Sequence, residues 1–175
     1  LPEESYKSVW VAVKNAEKLL SMVTQLLDLQ KTELHAECLK VSPYDIKAYL
    51  EEKIAEFHMA ALQKGVEIQL KAEADMPQVW MDRDKMDHIV DNLLSNALKY
   101  TEKGIIYITV RTTKKKWSIE VKDTGIGIPK EEQRNIFHEY YRAQNAMNFQ
   151  ETGSGIGLMF TRRILKQHHG DISFT

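Results

Sequence analysis

Hydrophobic positions divide the chain into segments of different period. From about Tyr6 to Leu34 the residues Val9, Val13, Ala16, Leu20, Val23, Leu27 and Leu34 advance by fours and threes, interrupted at Gln30. That is the spacing of a bundle or coiled-coil seam. Leu19 and Leu26 widen the stripe, and no Gly or Pro breaks it, so one long helix is expected. Its apolar face wants neighbours, for which another copy of the chain is a candidate. A short strand is expected around Glu37–Val41. Ser42 then reads as an N-cap with Pro43 at the first helical position, opening a helix to about Lys64 that stops at Gly65. Val66, Ile68 and Leu70 alternate with polar residues as in a half-buried strand. Met76–Pro77 is a break, and Val79–Met81 a short extended piece.

Asp82 is the candidate cap of a helix whose second half, Asp91 to Thr101, reads DNLLSNALKYT. Leu93, Leu94, Ala97 and Leu98 follow helical spacing and should form its inner side. After Gly104, Ile106, Ile108 and Val110 share one parity, and Trp117, Ile119, Val121 and Asp123 share one in the next run. A hairpin through Lys114–Lys115–Lys116 should join the two runs. Pro129 opens a short helix to about Phe137. Ala143 to Thr152 has no usable period and reads as a polar, mobile loop. Gly155 to about His169 is a last helix ended by Gly170, and Asp171–Thr175 begins a strand.

Composition narrows the class. The 175 residues are 43% hydrophobic, enough for a real core, and 28% charged, which together exclude disorder. With 24 Lys and Arg against 25 Asp and Glu, nothing favours nucleic acid or a membrane surface. A single cysteine, Cys38, precludes an internal disulfide and fits a reducing compartment. No apolar run reaches the roughly 18 residues of a membrane span, and LPEESYK is no signal peptide. A soluble cytoplasmic piece is expected.

Asn92 and Asn96 put two amides on one helix face, one turn apart. They are either a solvated flank or a pair of neutral oxygen ligands for a hard cation such as magnesium carried by a polyphosphate. Asp123 ends a strand on the core-side parity, directly before Thr124–Gly125–Ile126–Gly127–Ile128–Pro129. It either starts a turn or is a carboxylate at the mouth of an apolar pocket, where it must be paired; an adenine amino group is such a donor. Of 8 glycines, five lie in two loops, Gly125 and Gly127, then Gly153, Gly155 and Gly157. The second loop leads directly into a helix, whose first N–H groups favour phosphate. Neither loop has the P-loop pattern. Lys99 could reach phosphate or complement the helix dipole; Tyr100 could cover a base or be part of the core. Arg142 is a phosphate contact or a surface charge.

These residues resemble a family. DNLLSNALKYT, DTGIGIP, IFHEYYRA and GSGIGL, in that order, are similar to the asparagine box, first glycine box, phenylalanine box and second glycine box of sensor histidine kinase catalytic domains. The earlier LLDLQKTEL resembles the second helix of the dimerisation and phosphoacceptor hairpin of those kinases, and its wording is close to hybrid two-component sensors. The resemblance implies an α/β two-layer sandwich of the Bergerat ATP-binding fold, with a mixed sheet on one face and helices on the other. It divides the chain into hairpin helix and linker, 1–36, and catalytic ATP-binding domain, 37–175. It implies ATP and Mg2+, with Asn96 on the metal and Asn92 assisting, Lys99 and Arg142 on phosphate, and Tyr100 near the nucleotide. Asp123 would take the adenine amino group, with Gly125, Gly127 and Ile128 passing the base. Ala143–Thr152 would be the ATP lid, and Gly153, Ser154, Gly155, Ile156, Gly157 and Leu158 its phosphate-side hinge. Implied partners are a phosphoacceptor helix of the same or a partner subunit, a response-regulator receiver domain, and a second copy in the parent protein, itself anchored in a bacterial inner membrane.

Two departures matter. None of the six histidines fits the family's phosphoacceptor pattern; His138–Glu139 does so superficially but lies inside the phenylalanine box. The chain also stops at Thr175, before the Gly-Thr-containing strand that closes such sheets, so a fragment is expected. Two other readings compete. ATP-hydrolysing enzymes of the same fold (type II topoisomerases, mismatch-repair ATPases, the heat-shock chaperone) place a glutamate where Asn92 stands, and an amide cannot take the proton from water. A non-enzymatic dimerisation module would rest on the Tyr6–Leu34 helix alone. For Asp123, Asp123→Asn should lower nucleotide affinity by about 1.5–3 kcal/mol, the scale of a charged hydrogen bond. Unchanged ATP binding in calorimetry would remove Asp123 from the site.

Overall fold

The computed structural model describes residues 9, 12, 13, 16, 39–73, 75–113, 116–149 and 153–174, in two units, Leu1–Cys38 and Leu39–Thr175. In the first unit Val9, Ala12, Val13 and Ala16 are helical and exposed, which suits a seam awaiting a partner; the rest of that expected helix lies outside the described residues.

In the second unit the order is β1 (Ser42–Tyr44), α1 (Ile46–Lys64), β2 (Val66–Lys71), β3 (Val79–Met81), α2 (Arg83–Tyr100), β4 (Gly104–Thr112), β5 (Trp117–Asp123), α3 (Gln144–Phe149) and α4 (Gly157–Gln167). β2 and β4 pair in parallel and β4 and β5 antiparallel, giving a mixed sheet in the order β2-β4-β5. β1 and β3 form a separate antiparallel pair. The parallel step from β2 to β4 needs a long crossover, and β3 with α2 supplies it. This is the two-layer α/β arrangement expected from the motifs. Ile106, Ile108 and Val110 are the buried face of β4; Leu50, Met81, Val90, Leu94 and Ile164 fill the core from the other elements.

Five expectations are corrected. The strand is Ser42–Tyr44, not 37–41: Leu39–Val41 is irregular, and Glu37 and Cys38 lie outside the described residues. Pro43 therefore sits in a strand opposite Trp80, and Asp45, not Ser42, caps α1. The Asp45 carboxylate accepts from the N–H groups of Lys47 (3.0 Å) and Ala48 (3.1 Å), a charged cap that the Ser-Pro signal obscured. Pro129–Phe137 is a run of turns, not a helix. Its backbone bonds Glu132→Pro129, Asn135→Glu132 and His138→Asn135 span three residues, and the single four-residue bond, Gln133→Pro129, is not continued. The polar stretch after Ala143 contains α3, begun where the Gln144 N–H donates to Glu132 Oε2 (2.9 Å); residues 150–152 lie outside the description. Residues 171–174 form no strand. Instead Asp171 lies 3.9 Å from Arg162 Nε, and Phe174 packs on Phe137 with ring centroids 6.0 Å apart. Among the described residues no helix is long and apolar enough to cross a membrane.

The start of α2 is built around Asp82, the expected cap, which is 4% exposed. Its carboxylate accepts from the N–H of Lys85 (3.2 Å) within the first turn and of Lys40 (2.8 Å) from the segment before β1. Its own N–H donates to His168 Nε2 (3.4 Å) beyond α4. Asp82→Ala removes the partner of two part-buried N–H donors, so it should destabilise the domain by about 1–3 kcal/mol, a cap plus a second orphaned donor. Urea unfolding checks this, and a loss under 1 kcal/mol would count against it.

Candidate functional site

The candidate residues fall on three elements that meet at the second half of α2. The buried stripe of that helix is Met86, Ile89, Val90, Leu94 and Ala97, with Leu93 and Leu98 half-buried beside it. Asn92 and Asn96 lie on one flank and are linked: Asn96 Nδ2 donates to Asn92 Oδ1 at 3.3 Å, and Asn92 Nδ2 donates to Thr161 Oγ1 on α4 at 2.9 Å. Helix α4 approaches this flank so closely that a Cβ at Gly157 would collide with Asn92 Oδ1. Glycine is required there by contact, not by backbone angle. Gly155 is the conformational case: its φ is +71°, and a Cβ would lie 2.6 Å from the carbonyl carbon of Tyr140.

Every carbonyl of the last turn of α2 has a donor. Ala97 O accepts from the Thr101 N–H (3.1 Å), Leu98 O and Lys99 O from Lys64 Nζ (2.6 and 2.9 Å), and Tyr100 O from the Ile126 N–H (3.2 Å). The turn that carries Lys99 and Tyr100 is thereby tied to α1 and to the first glycine loop.

Lys99 and Arg142 converge on the second glycine loop: a Cβ at Gly153 would stand 2.8 Å from Lys99 Nζ and 3.3 Å from Arg142 Nε. Lys99 Nζ also lies 4.9 Å from the Tyr100 ring centroid. After the loop, α4 starts at Gly157 with no side chain capping its N–H groups, the arrangement that receives anions. Ser154 Oγ accepts from the Ile156 N–H at 3.3 Å within the loop, and Ile156 itself is buried in the core. Leu158 is half-buried.

Asp123 is exposed although it shares the parity of Trp117, Ile119 and Val121. It opposes Ile106 at the last rung of the ladder, where the sheet no longer covers it. Its Oδ1 accepts from the Gly125 N–H at 2.9 Å, so it starts the turn and leaves its other oxygen, Oδ2, at the loop. Ile128 is exposed and is tied to the turns after it, with its O accepting from Gln133 Nε2 at 3.0 Å. Helix α3 lies over this loop. Asn145 Nδ2 donates to Gly127 O at 2.9 Å, and Phe149 stands 6.4 Å from the Tyr100 ring. Glu132 anchors the start of α3, accepting also from the Tyr141 hydroxyl at 2.7 Å, which pushes that phenol up from its usual range.

Thr161, Lys64, Glu132 and Asn145 were not identified from sequence. Thr161 carried a weak signal, a polar residue one turn after Gly157 on the face of α4 that is otherwise apolar; the others carried none.

Among the described residues no cluster of His, Cys, Asp or Glu could hold a metal. A divalent cation here must arrive with its charge already balanced by phosphates, and neutral amide oxygens then suffice. Asn92 Oδ1 already accepts from Asn96, whereas Asn96 Oδ1 has no protein donor among the described residues, so Asn96 would be the better placed of the two to ligate a cation.

A family model described as histidine kinase-, DNA gyrase B-, and HSP90-like ATPase matches residues 81–175. The chain is 32% identical over 167 residues to the signal transduction histidine-protein kinase BarA of Escherichia coli, covering 92% of this chain and 18% of BarA. It superposes on full-length ShkA in complex with AMPPNP with a TM-score of 0.80 and 26% identity, over 95% of this chain and 35% of that one. It also superposes on the histidine kinase ThkA in its complex with the response regulator TrrA, TM-score 0.76 and 21% identity, over 97% and 46% of the two chains. That last likeness speaks for the fold alone.

Gly157→Ala tests the contact with α4. The atom it displaces is the end of a side chain, so the fold should persist within about 1 kcal/mol, while the shifted Asn92 amide should weaken Mg-ATP binding about tenfold, ~1.4 kcal/mol. Thermal unfolding and calorimetry on one sample separate the two effects.

Proposed function

The chain belongs to the histidine kinase-, DNA gyrase B- and HSP90-like ATPase family, and from that premise we propose that it binds Mg-ATP and presents the γ-phosphoryl group to a histidine. The acceptor histidine lies on a helix of the same or a partner subunit, and the phosphoryl group passes on to an aspartate of a response-regulator receiver domain. The observation that carries this reading is the convergence of Lys99 and Arg142 on Gly153, beside the uncapped start of α4. Phosphoryl transfer is catalysed mainly by positioning and charge neutralisation, and that is what these groups can do. Asn96 holds the magnesium with Asn92 assisting, and bound Mg2+ screens the phosphate oxygens. Asp123 with the Gly125–Ile128 loop takes the adenine, Tyr100 lies beside the nucleotide, and Gly153–Leu158 hold the phosphates. α3 is the core of the lid.

Hydrolysis by the same fold is disfavoured by Asn92. Its amide donates to Thr161 and accepts from Asn96, and it has no basic lone pair for a water proton. The chain spans less than a fifth of BarA's length, so acceptor helix, second copy and membrane anchor are assigned to the longer protein, with residues 1–36 as part of its dimerisation hairpin. ThkA, crystallised with TrrA, illustrates the kind of regulator partner meant.

The test is label transfer from γ-labelled ATP in a protein extended upstream through a histidine-bearing helix. Label should appear on that helix with Mg2+ present, vanish when its histidine is replaced, and vanish with Asn96→Ala. Phosphate release without any labelled protein would instead support hydrolysis.

A further inference from the structure

We propose that Lys53 is a positioning residue for the nucleotide site, its ammonium setting the rotation of the helix that carries Asn92 and Asn96. The inference rests on the functional reading of those two amides. Lys53 lies on α1, which packs against α2, and is 4% exposed. Its Nζ is 2.6 Å from Asp91 Oδ1, on the residue immediately before Asn92, and 2.7 Å from Glu56 Oε2. One turn earlier on both helices, the Tyr49 hydroxyl donates to Asp87 Oδ1 at 2.9 Å. Next to it, Arg83 Nη2 lies 2.7 Å from Glu52 Oε1 and Arg83 Nε 4.0 Å from Asp87 Oδ2. One flank of α2 is thus laced to α1 at successive turns, by hydrogen bonds from Tyr49 and Arg83 and by the Lys53–Asp91 ion pair. The other flank carries Asn92 and Asn96.

Packing alone does not account for a buried ammonium at this place. Desolvation pushes Lys53 toward its neutral form, and the hydrogen bonds to Asp91 and Glu56 more than reverse that, so its pKa is raised above 10.5. A well-packed apolar residue in such a position is often neutral or stabilising, and the best-attested use of a buried polar contact is to fix register. Register is what the site needs. The stripe from Met86 to Ala97 is non-directional and tolerates small rotations. A turn of about 20° on a helix about 10–12 Å across moves a side-chain end by about 2 Å. On the Asn92 flank that motion would drive Oδ1 into Gly157 or draw it off Thr161, and Asn96 would follow. The Lys53–Asp91 bond opposes both senses of rotation because it is short and its donor is enclosed.

The partner carboxylate makes the idea testable without stranding a charge. The Asp91 side chain is 45% exposed, and although Oδ1 is enclosed, its other oxygen stays solvated when the lysine is removed. Calorimetric titration of the intact chain with ATP, in Mg2+ and separately in EDTA, compares the parent with Lys53→Met and Lys53→Arg, and thermal unfolding accompanies each titration. Lys53→Met should unfold within a few degrees of the parent and bind Mg-ATP about tenfold more weakly. Metal-free ATP binding should change much less, and Lys53→Arg should recover most of the loss. Equal Mg-ATP affinity in Lys53→Met and the parent would overturn the proposal, as would equal losses with and without metal. Should Lys53→Met not fold, the double variant Lys53→Met with Asp91→Leu decides. A folded protein with tenfold weaker Mg-ATP binding supports the positioning role; failure to fold, or parental affinity, overturns it. Absence of Mg-dependent ATP binding in the parent itself would overturn the functional reading beneath, and is seen before any substitution is made.

Discussion

The last turn of α2 exposes four carbonyl groups, of which continuing backbone satisfies one, and their donors come from three directions. Thr101 closes the helix on itself, Lys64 reaches across from the end of α1, and Ile126 brings the first glycine loop onto Tyr100. A helix end without such partners is costly once it is covered by other elements. By meeting that demand, the chain ties the loop that starts at Asp123 to the helix that carries the amides and Lys99. The other end of α2 is secured in the same currency of backbone hydrogen bonds, through Asp82, Lys40 and His168.

Between these anchored ends the helix is a carrier with two differently made flanks. Against α1 it presents carboxylates, Asp87 and Asp91, that meet Tyr49 and Lys53. Against α4 it presents amides that meet Thr161 and the bare backbone of Gly157. The contact with α4 places the uncapped start of one helix beside the Asn92 amide of another. Lys99 and Arg142 then add positive charge at Gly153, from opposite sides in sequence. Helix α3 lies on the first glycine loop through Asn145 and on Tyr100 through Phe149, so it touches both the loop after Asp123 and the end of α2.

Much of this was legible in the sequence where periodicity and punctuation agreed. The helix ending at Gly65, the strand after it, the Asp82 cap, the alternating strands around the lysine turn and the last helix all appear close to their expected places, because each rests on local rules of capping and alternation. Most of the misses share a cause. Asp45 displaced Ser42 as a cap, Glu132 started α3, and Asp171 and Phe174 folded onto Arg162 and Phe137. The Asp45 cap is local and was masked by the Ser-Pro signal; in the other cases a side chain found a partner that no local pattern announces. Asp123 shows the same limit from the other side: its parity pointed inward, yet the sheet ends at its rung and leaves it exposed.

The sequence by itself determined the family, through four motifs in order, and with it the two-layer α/β class and the list of candidate residues; those depend on residue identity and spacing, which a linear text records. Only the tertiary structure decided which of them work together: Asn92 with Thr161 and Gly157, Lys99 with Arg142 at Gly153, Tyr100 with the first glycine loop. It alone placed Lys53 and Lys64 behind the site. Such pairings join residues far apart in the chain through contacts of a few ångströms, and these are set by packing and by the need to satisfy buried polar groups, which no period along the sequence encodes.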